Sequence, residues 1–147
     1  VNDHGHAAFD IPRGRLASGD SALLGQLVGA AYSGCDSCQE ALLALVAESA
    51  PTTTQLVEAA CDAVVKTLGG IPVDLVDTAR PGSPVPMGFR QLAEAMANGT
   101  APADLNARCE GIEAAERHAA ARTAAALLVG EIRAGSRGGE ALRRQQI

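Results

Sequence analysis

Cys35-Asp-Ser-Cys38 is the segment of this chain best equipped for chemistry. Two thiols with two residues between them can approach closely and close into a small, reducible disulfide. The motif follows Ser33-Gly34 and leads into an apolar run, which puts it at the start of a helix. There the unpaired first-turn N–H groups and the helix dipole favour negative charge, and the thiolate is the reactive form of cysteine. Cys35 and Cys38 are therefore the candidate catalytic residues, as a dithiol that cycles. The plainer reading of the same pair is two small residues that are simply packed away.

Cys61 and Cys109 complete the four cysteines. If the helices on either side of Pro51 pack antiparallel, Cys61 returns near the level of Cys35 and Cys38. A zinc or iron site built there needs a fourth ligand from His4, His6 or Cys109. There is no second pair at metal-ligand spacing, and Cys61 shares a face with Leu56, Ala60 and Val64, so a core position is the simpler expectation. No metal ligand and no cofactor is assigned. Ala115 stands three residues before His118, where a di-iron Glu-x-x-His needs its carboxylate, so that motif is missing. Glu110, Glu113 and Glu116 read as a solvated helix face.

The elements that must position these residues are helices. Ser18-Gly-Asp-Ser21 offers N-caps for a first helix, in which Leu23, Leu24, Leu27, Val28 and Ala31 recur at helical spacing up to Ser33-Gly34. Ser37 and Glu40 form a capping-box pattern for a second, with Leu42, Leu43, Leu45 and Val46 as its buried face. Pro51-Thr-Thr-Thr54 reads as a turn and a new N-cap. The third helix then runs from about Thr53 to Leu68 on Leu56, Val57, Ala60, Cys61, Val64 and Val65, and stops at Gly69-Gly70. Residues 71–76 carry Pro72 and read as a short helix or an extended linker, and 80–86 as a loop. A fourth helix spans about Met87–Ala97. A fifth begins after Pro102 and runs to about Ala134 on Leu105, Cys109, Ile112, Ala115, Ala119, Leu127 and Ile132. The chain thus reads as all-α: an extended arm over 1–17, a single compact domain of about five helices over 18–134, and a flexible tail over 135–147 that carries Arg137, Arg143 and Arg144.

Composition agrees. A length of 147 residues suits one domain, and 47% hydrophobic residues exclude a disordered chain. Aromatics are 2%, so Ala, Leu and Val must fill the core, which favours close helix packing. A net charge of −5 argues against nucleic acid as a partner. No apolar run approaches the ~18–20 residues of a membrane span, and no membrane partner is expected. The start, Val1-Asn-Asp-His-Gly-His6, lacks the basic-then-apolar order of a signal peptide. Four cysteines are too few for a secreted disulfide framework, so the expected compartment is the reducing cytoplasm.

Residues 31–60, from Ala31-Tyr-Ser-Gly-Cys-Asp-Ser-Cys38 through Thr52 and Gln55 to Ala60, resemble the core of the AhpD-like, carboxymuconolactone decarboxylase superfamily. Gly69-Gly70-Ile-Pro72 resembles a Gly-x-Pro further along that family's chains. The resemblance implies an all-helical fold, assembly as a homo-oligomer or within a complex, and a thiol electron donor. It implies Cys38 as the reactive thiol and Cys35 as its resolving partner. In peroxidase-type members a Glu on the preceding helix and a His one turn after the second Cys relay protons; those positions are Leu23 and Leu42 here. The expected function is thiol–disulfide exchange or weak hydroperoxide reduction. The alternative is a non-catalytic helical module for assembly or partner binding.

Overall fold

From Thr52 to Cys61 every residue is buried, polar and apolar alike, and the other helices are arranged around this stretch. The structure, a computed structural model, describes residues 8–11 and 19–145, with side chains as far as residue 135. Its elements are α1 (Ser21–Ser33), α2 (Asp36–Ala47), α3 (Ala50–Leu68), a 3₁₀ turn (Val73–Leu75), α4 (Met87–Ala97), α5 (Pro102–Glu110) and α6 (Ala114–Gln145). There is no strand among the described residues. Of the expected arm, residues 8–11 are non-helical, while 1–7 and 12–18 lie outside the described residues.

The central helix, α3, begins earlier than its sequence implied. Ser49, not one of the threonines, is the N-cap, and its Oγ accepts the Thr52 N–H at 3.3 Å. Pro51 falls in the first turn, where its missing N–H costs nothing. The threonines are then inside the helix, and their hydroxyls find carbonyls: Thr53 donates to Val46 O and Thr54 to Ala50 O, each at 2.8 Å. Thr52 Oγ1 accepts the Asp20 N–H at 3.1 Å, and Gln55 donates to Ser21 Oγ at 2.8 Å. These bonds join the start of α3 to the start of α1 and make burial of polar groups tolerable. Val65, expected inside, is 41% exposed.

The fifth expected helix is two. It breaks at 111–113, where Gly111 N–H bonds the Ala107 and Arg108 carbonyls and Ile112 N–H bonds Cys109 O. Leu105, Cys109 and Ile112 keep a helical spacing across the break, which hid it. After the break the buried face is Ala120, Ala121, Ala124, Ala125, Leu128 and Val129, while Ala115 is exposed. An alanine-rich segment shows almost no contrast between its faces, so its phase is illegible. Those alanines let α6 pack closely along α3, the most extensive helix contact in the molecule. The bounds of α6 extend through residues 135–145, where a tail was expected.

Around α4 the sequence concealed a buried cation. Arg90 is 5% exposed and donates to Val85 O at 2.9 Å, Asp77 O at 2.8 Å and Arg80 O at 3.3 Å. It thereby holds the 77–85 loop against the domain by satisfying three of its carbonyls. Glu116, expected on a solvated face, is half-buried and accepts the Gly88 N–H at 3.1 Å near the start of α4.

Candidate functional site

α1 ends on Gly34, whose φ of 73° is the left-handed conformation that stops a helix. Its N–H bonds Ala31 O at 3.2 Å, and the Cys35 N–H bonds Ala30 O at 3.1 Å. The chain reverses at once, so Cys35, with φ −86° and ψ 95°, becomes the N-cap of α2. The expected capping box, with Ser37 as N-cap and Glu40 reaching back, is therefore not formed. Ser37 is already in the first turn. Glu40 reaches sideways to α6, where it pairs with Arg122 at 2.5 Å and lies 3.5 Å from His118 Nε2.

Cys35 and Cys38 are both half-buried and both thiols. They face each other: the Cys38 thiol is hydrogen-bonded to the Cys35 sulfur. Ser37 Oγ lies 3.7 Å from Cys35 Sγ and also contacts Cys38. The hydrogen bond to Cys35, followed by partial desolvation and the charge of Cys35, pushes the Cys38 thiol above its ordinary value of 9.0; the Ser37 hydroxyl opposes this. No imidazole or carboxylate is among the groups acting on Cys38.

Three residues before Cys35, Tyr32 fixes the corner. Arg133 of α6 donates to Tyr32 O at 2.8 Å and sits 5.0 Å over the Tyr32 ring. Phe9 meets that ring edge-on, centroids 5.5 Å apart. Phe9 N–H bonds Gly25 O at 3.2 Å, an approach that only glycine allows, because a Cβ on Gly25 would stand 2.2 Å from Phe9 O. At the other end of α2, Arg117 donates to Ala47 O at 2.7 Å and so satisfies a C-terminal carbonyl. Sequence reasoning missed Tyr32, Arg133 and Arg117; a cation 101 residues from its acceptor leaves no local signal.

Leu42 is half-buried and packs against the core. Leu23 lies at the far end of the α1–α2 pair, lining a depression with Leu45, Glu48 and Thr52. Ten residues of helix separate it from Ser33, about 15 Å at ~1.5 Å per residue. Leu45, expected to be buried, is 50% exposed beside it.

Cys61 and Cys109 belong to the core. Burial pushes the Cys61 thiol up to about 12, with the charges of Asp62 and Glu58 adding to the effect. Burial also raises Cys109, against a lowering hydrogen bond from Thr54. No group of three or more His, Cys, Asp or Glu residues is placed to hold a metal among the described residues; His4 and His6 lie outside them.

The raised Cys61 value predicts an alkaline instability. The unfolded chain loses this proton near the ordinary value of 9.0, the folded chain only near about 12. The contribution to stability is therefore present below pH 9.0 and is lost as pH climbs toward about 12. Urea unfolding midpoints measured across that window are expected to fall more steeply for the parent than for Cys61→Ala; parallel slopes would refute the assignment.

No helix among the described residues is long and apolar enough to cross a membrane. Comparison of the chain with models of known protein families, with curated proteins and with solved structures finds no match.

Proposed function

We propose that this protein is a helical dithiol oxidoreductase that exchanges disulfides through Cys35 and Cys38, resembling AhpD-like proteins in its motif and helical frame. The observation that carries the reading is the pair itself: two half-buried thiols in mutual contact at the N-terminus of α2. A bridge between them needs only a small movement, and the helix end stabilises the thiolate that begins exchange.

The substrate class is a small or exposed disulfide, and the regenerating partner is a thiol donor in a reducing compartment such as the cytoplasm. Hydroperoxide reduction is the weaker activity. Leu23 and Leu42 hold no proton to relay, and general acid–base assistance of that kind is worth about 10²–10⁴ in rate.

The test is turnover of an aromatic disulfide with dithiothreitol as donor, run beside a free peptide bearing the same Cys-Asp-Ser-Cys. The folded protein is expected to be at least about tenfold faster, because only it presents the motif on a formed helix. Equal rates would mean that the fold contributes nothing and that the reading is wrong.

A further inference from the structure

We infer that residues 8–11 form a strap whose docking on α1 is linked to the redox state of the Cys35–Cys38 pair: the docked strap favours the dithiol, and bridge formation loosens it. The inference rests on the dithiol reading above and adds regulation to the same site.

The strap has a built seat. Gly25, buried within α1, presents bare backbone to Phe9. The Phe9 N–H bonds Gly25 O at 3.2 Å, and a Cβ at Gly25 would stand 2.2 Å from Phe9 O. Phe9 and Ile11 are turned inward while Ala8 and Asp10 are exposed, and Ile11 belongs to the main core.

A continuous path leads from this seat to the cysteines. The Phe9 ring meets Tyr32 edge-on at 5.5 Å, and Arg133 holds the same residue from α6, 5.0 Å over the ring and 2.8 Å from its carbonyl. Tyr32 lies in the last turn of α1, three residues before Cys35, a stretch of chain that spans at most ~11 Å. The backbone between them is fixed: Gly34 N–H bonds Ala31 O and Cys35 N–H bonds Ala30 O. What pins the end of α1 therefore pins the Cys35 backbone.

Closing the bridge must move something. A disulfide brings its sulfurs to about 2.05 Å, well inside the hydrogen-bonded contact between the two thiols. Cys38 is carried in the first turn of α2, whereas Cys35 is the N-cap, on the reversal between the helices. The adjustment thus falls on the reversal and on the last turn of α1, which the strap and Arg133 brace through Tyr32. A brace that resists bridging must itself be weakened by bridging, and by the same factor.

The experiment equilibrates the full chain in glutathione buffers and reads the bridged fraction by alkylation and mass spectrometry. In this reaction the Cys35–Cys38 bond forms and the S–S bond of oxidised glutathione breaks. Two electrons and two protons pass from the protein thiols to two departing glutathione thiols. Gly25→Ala places a methyl against the Phe9 backbone, and Phe9→Ala deletes the ring contact alone. Each is expected to shift the equilibrium toward the bridge by about threefold to tenfold. In a Tyr32→Ala background, Gly25→Ala is expected to add no further shift. In the unsubstituted protein, the Phe9 amide is expected to exchange its hydrogen about threefold to tenfold faster when the pair is bridged. A strap with a structural role only would destabilise both redox forms alike and leave the glutathione equilibrium in place. An unshifted equilibrium in either variant, a shift toward the dithiol, or equal Phe9 exchange in the two forms overturns the inference. A shift that persists in the Tyr32→Ala background overturns the route through Tyr32. A parent that bridges Cys35 to Cys38 while the strap variants match it defeats this inference alone. A parent that never bridges them defeats the dithiol reading and this inference together.

Discussion

Changing Cys35 or Cys38 to Ser is expected to cut steady-state disulfide turnover by at least about a hundredfold, because each removes one half of a two-step exchange. Without Cys35 the Cys38 sulfur has no partner to close a bridge with. Without Cys38 the mixed disulfide forms once and has no partner to resolve it. Cys61→Ala is the matched control. Cys61 is 6% exposed and its proton is held to about pH 12, so it is neither accessible nor a thiolate under assay conditions. Its loss is expected to leave turnover unchanged. Turnover that survives in Cys35→Ser or Cys38→Ser, or falls in Cys61→Ala, would move the chemistry away from the start of α2.

The largest expected effect on stability comes from the opposite side of the domain. Phe89 on α4 is fully buried, whereas Phe9 is half-buried and Tyr32 is 38% exposed, so one aromatic carries much of the interior volume in a chain otherwise filled by alanine, leucine and valine. Phe89→Ala is expected to cost about 3–5 kcal/mol, from lost transfer energy and the cavity left behind. Urea denaturation reads it directly; a loss below about 1 kcal/mol would show that the neighbouring side chains collapse into the space. α4 packs on α3, α5 and α6 and makes no extensive contact with α1 or α2. The surviving folded fraction should therefore label at Cys35 and Cys38 as the parent does. This separates stability from chemistry: the cysteine variants lose turnover with the fold intact, and Phe89→Ala loses stability with the thiols intact.

How much of this was legible in the residues depended on the contrast they offered. The limits of α1 and α4 were readable because strong punctuation brackets them: Asp20 and Gly34 around the first, Pro86 and Asn98-Gly99 around the other. The start of α3 was misplaced because Ser49 competed with three threonines of similar capping character, and Pro51 looked like a terminator when it is a first-turn residue. The break between α5 and α6 was invisible because apolar spacing persists across it and alanines set no phase.

The candidate site was legible in its identities and not in its surroundings. Two cysteines with two residues between them at a helix start announce themselves. The contact between their thiols, the Ser37 hydroxyl between them and the clamp of Arg133 on Tyr32 depend on a tight reversal at Gly34 and on a helix a hundred residues away. The buried Arg90 was missed for a related reason: its three partners are main-chain carbonyls, which every sequence contains.

The central claim is that Cys35 and Cys38 form one redox unit. Mild oxidation of the folded parent, alkylation of the remaining thiols under denaturing conditions and peptide mapping by mass spectrometry test it most directly. The expected result is a bridge between Cys35 and Cys38 that dithiothreitol reverses, with Cys61 and Cys109 recovered as alkylated thiols. Recovery of Cys35 and Cys38 as separate alkylated residues after oxidation would contradict the account.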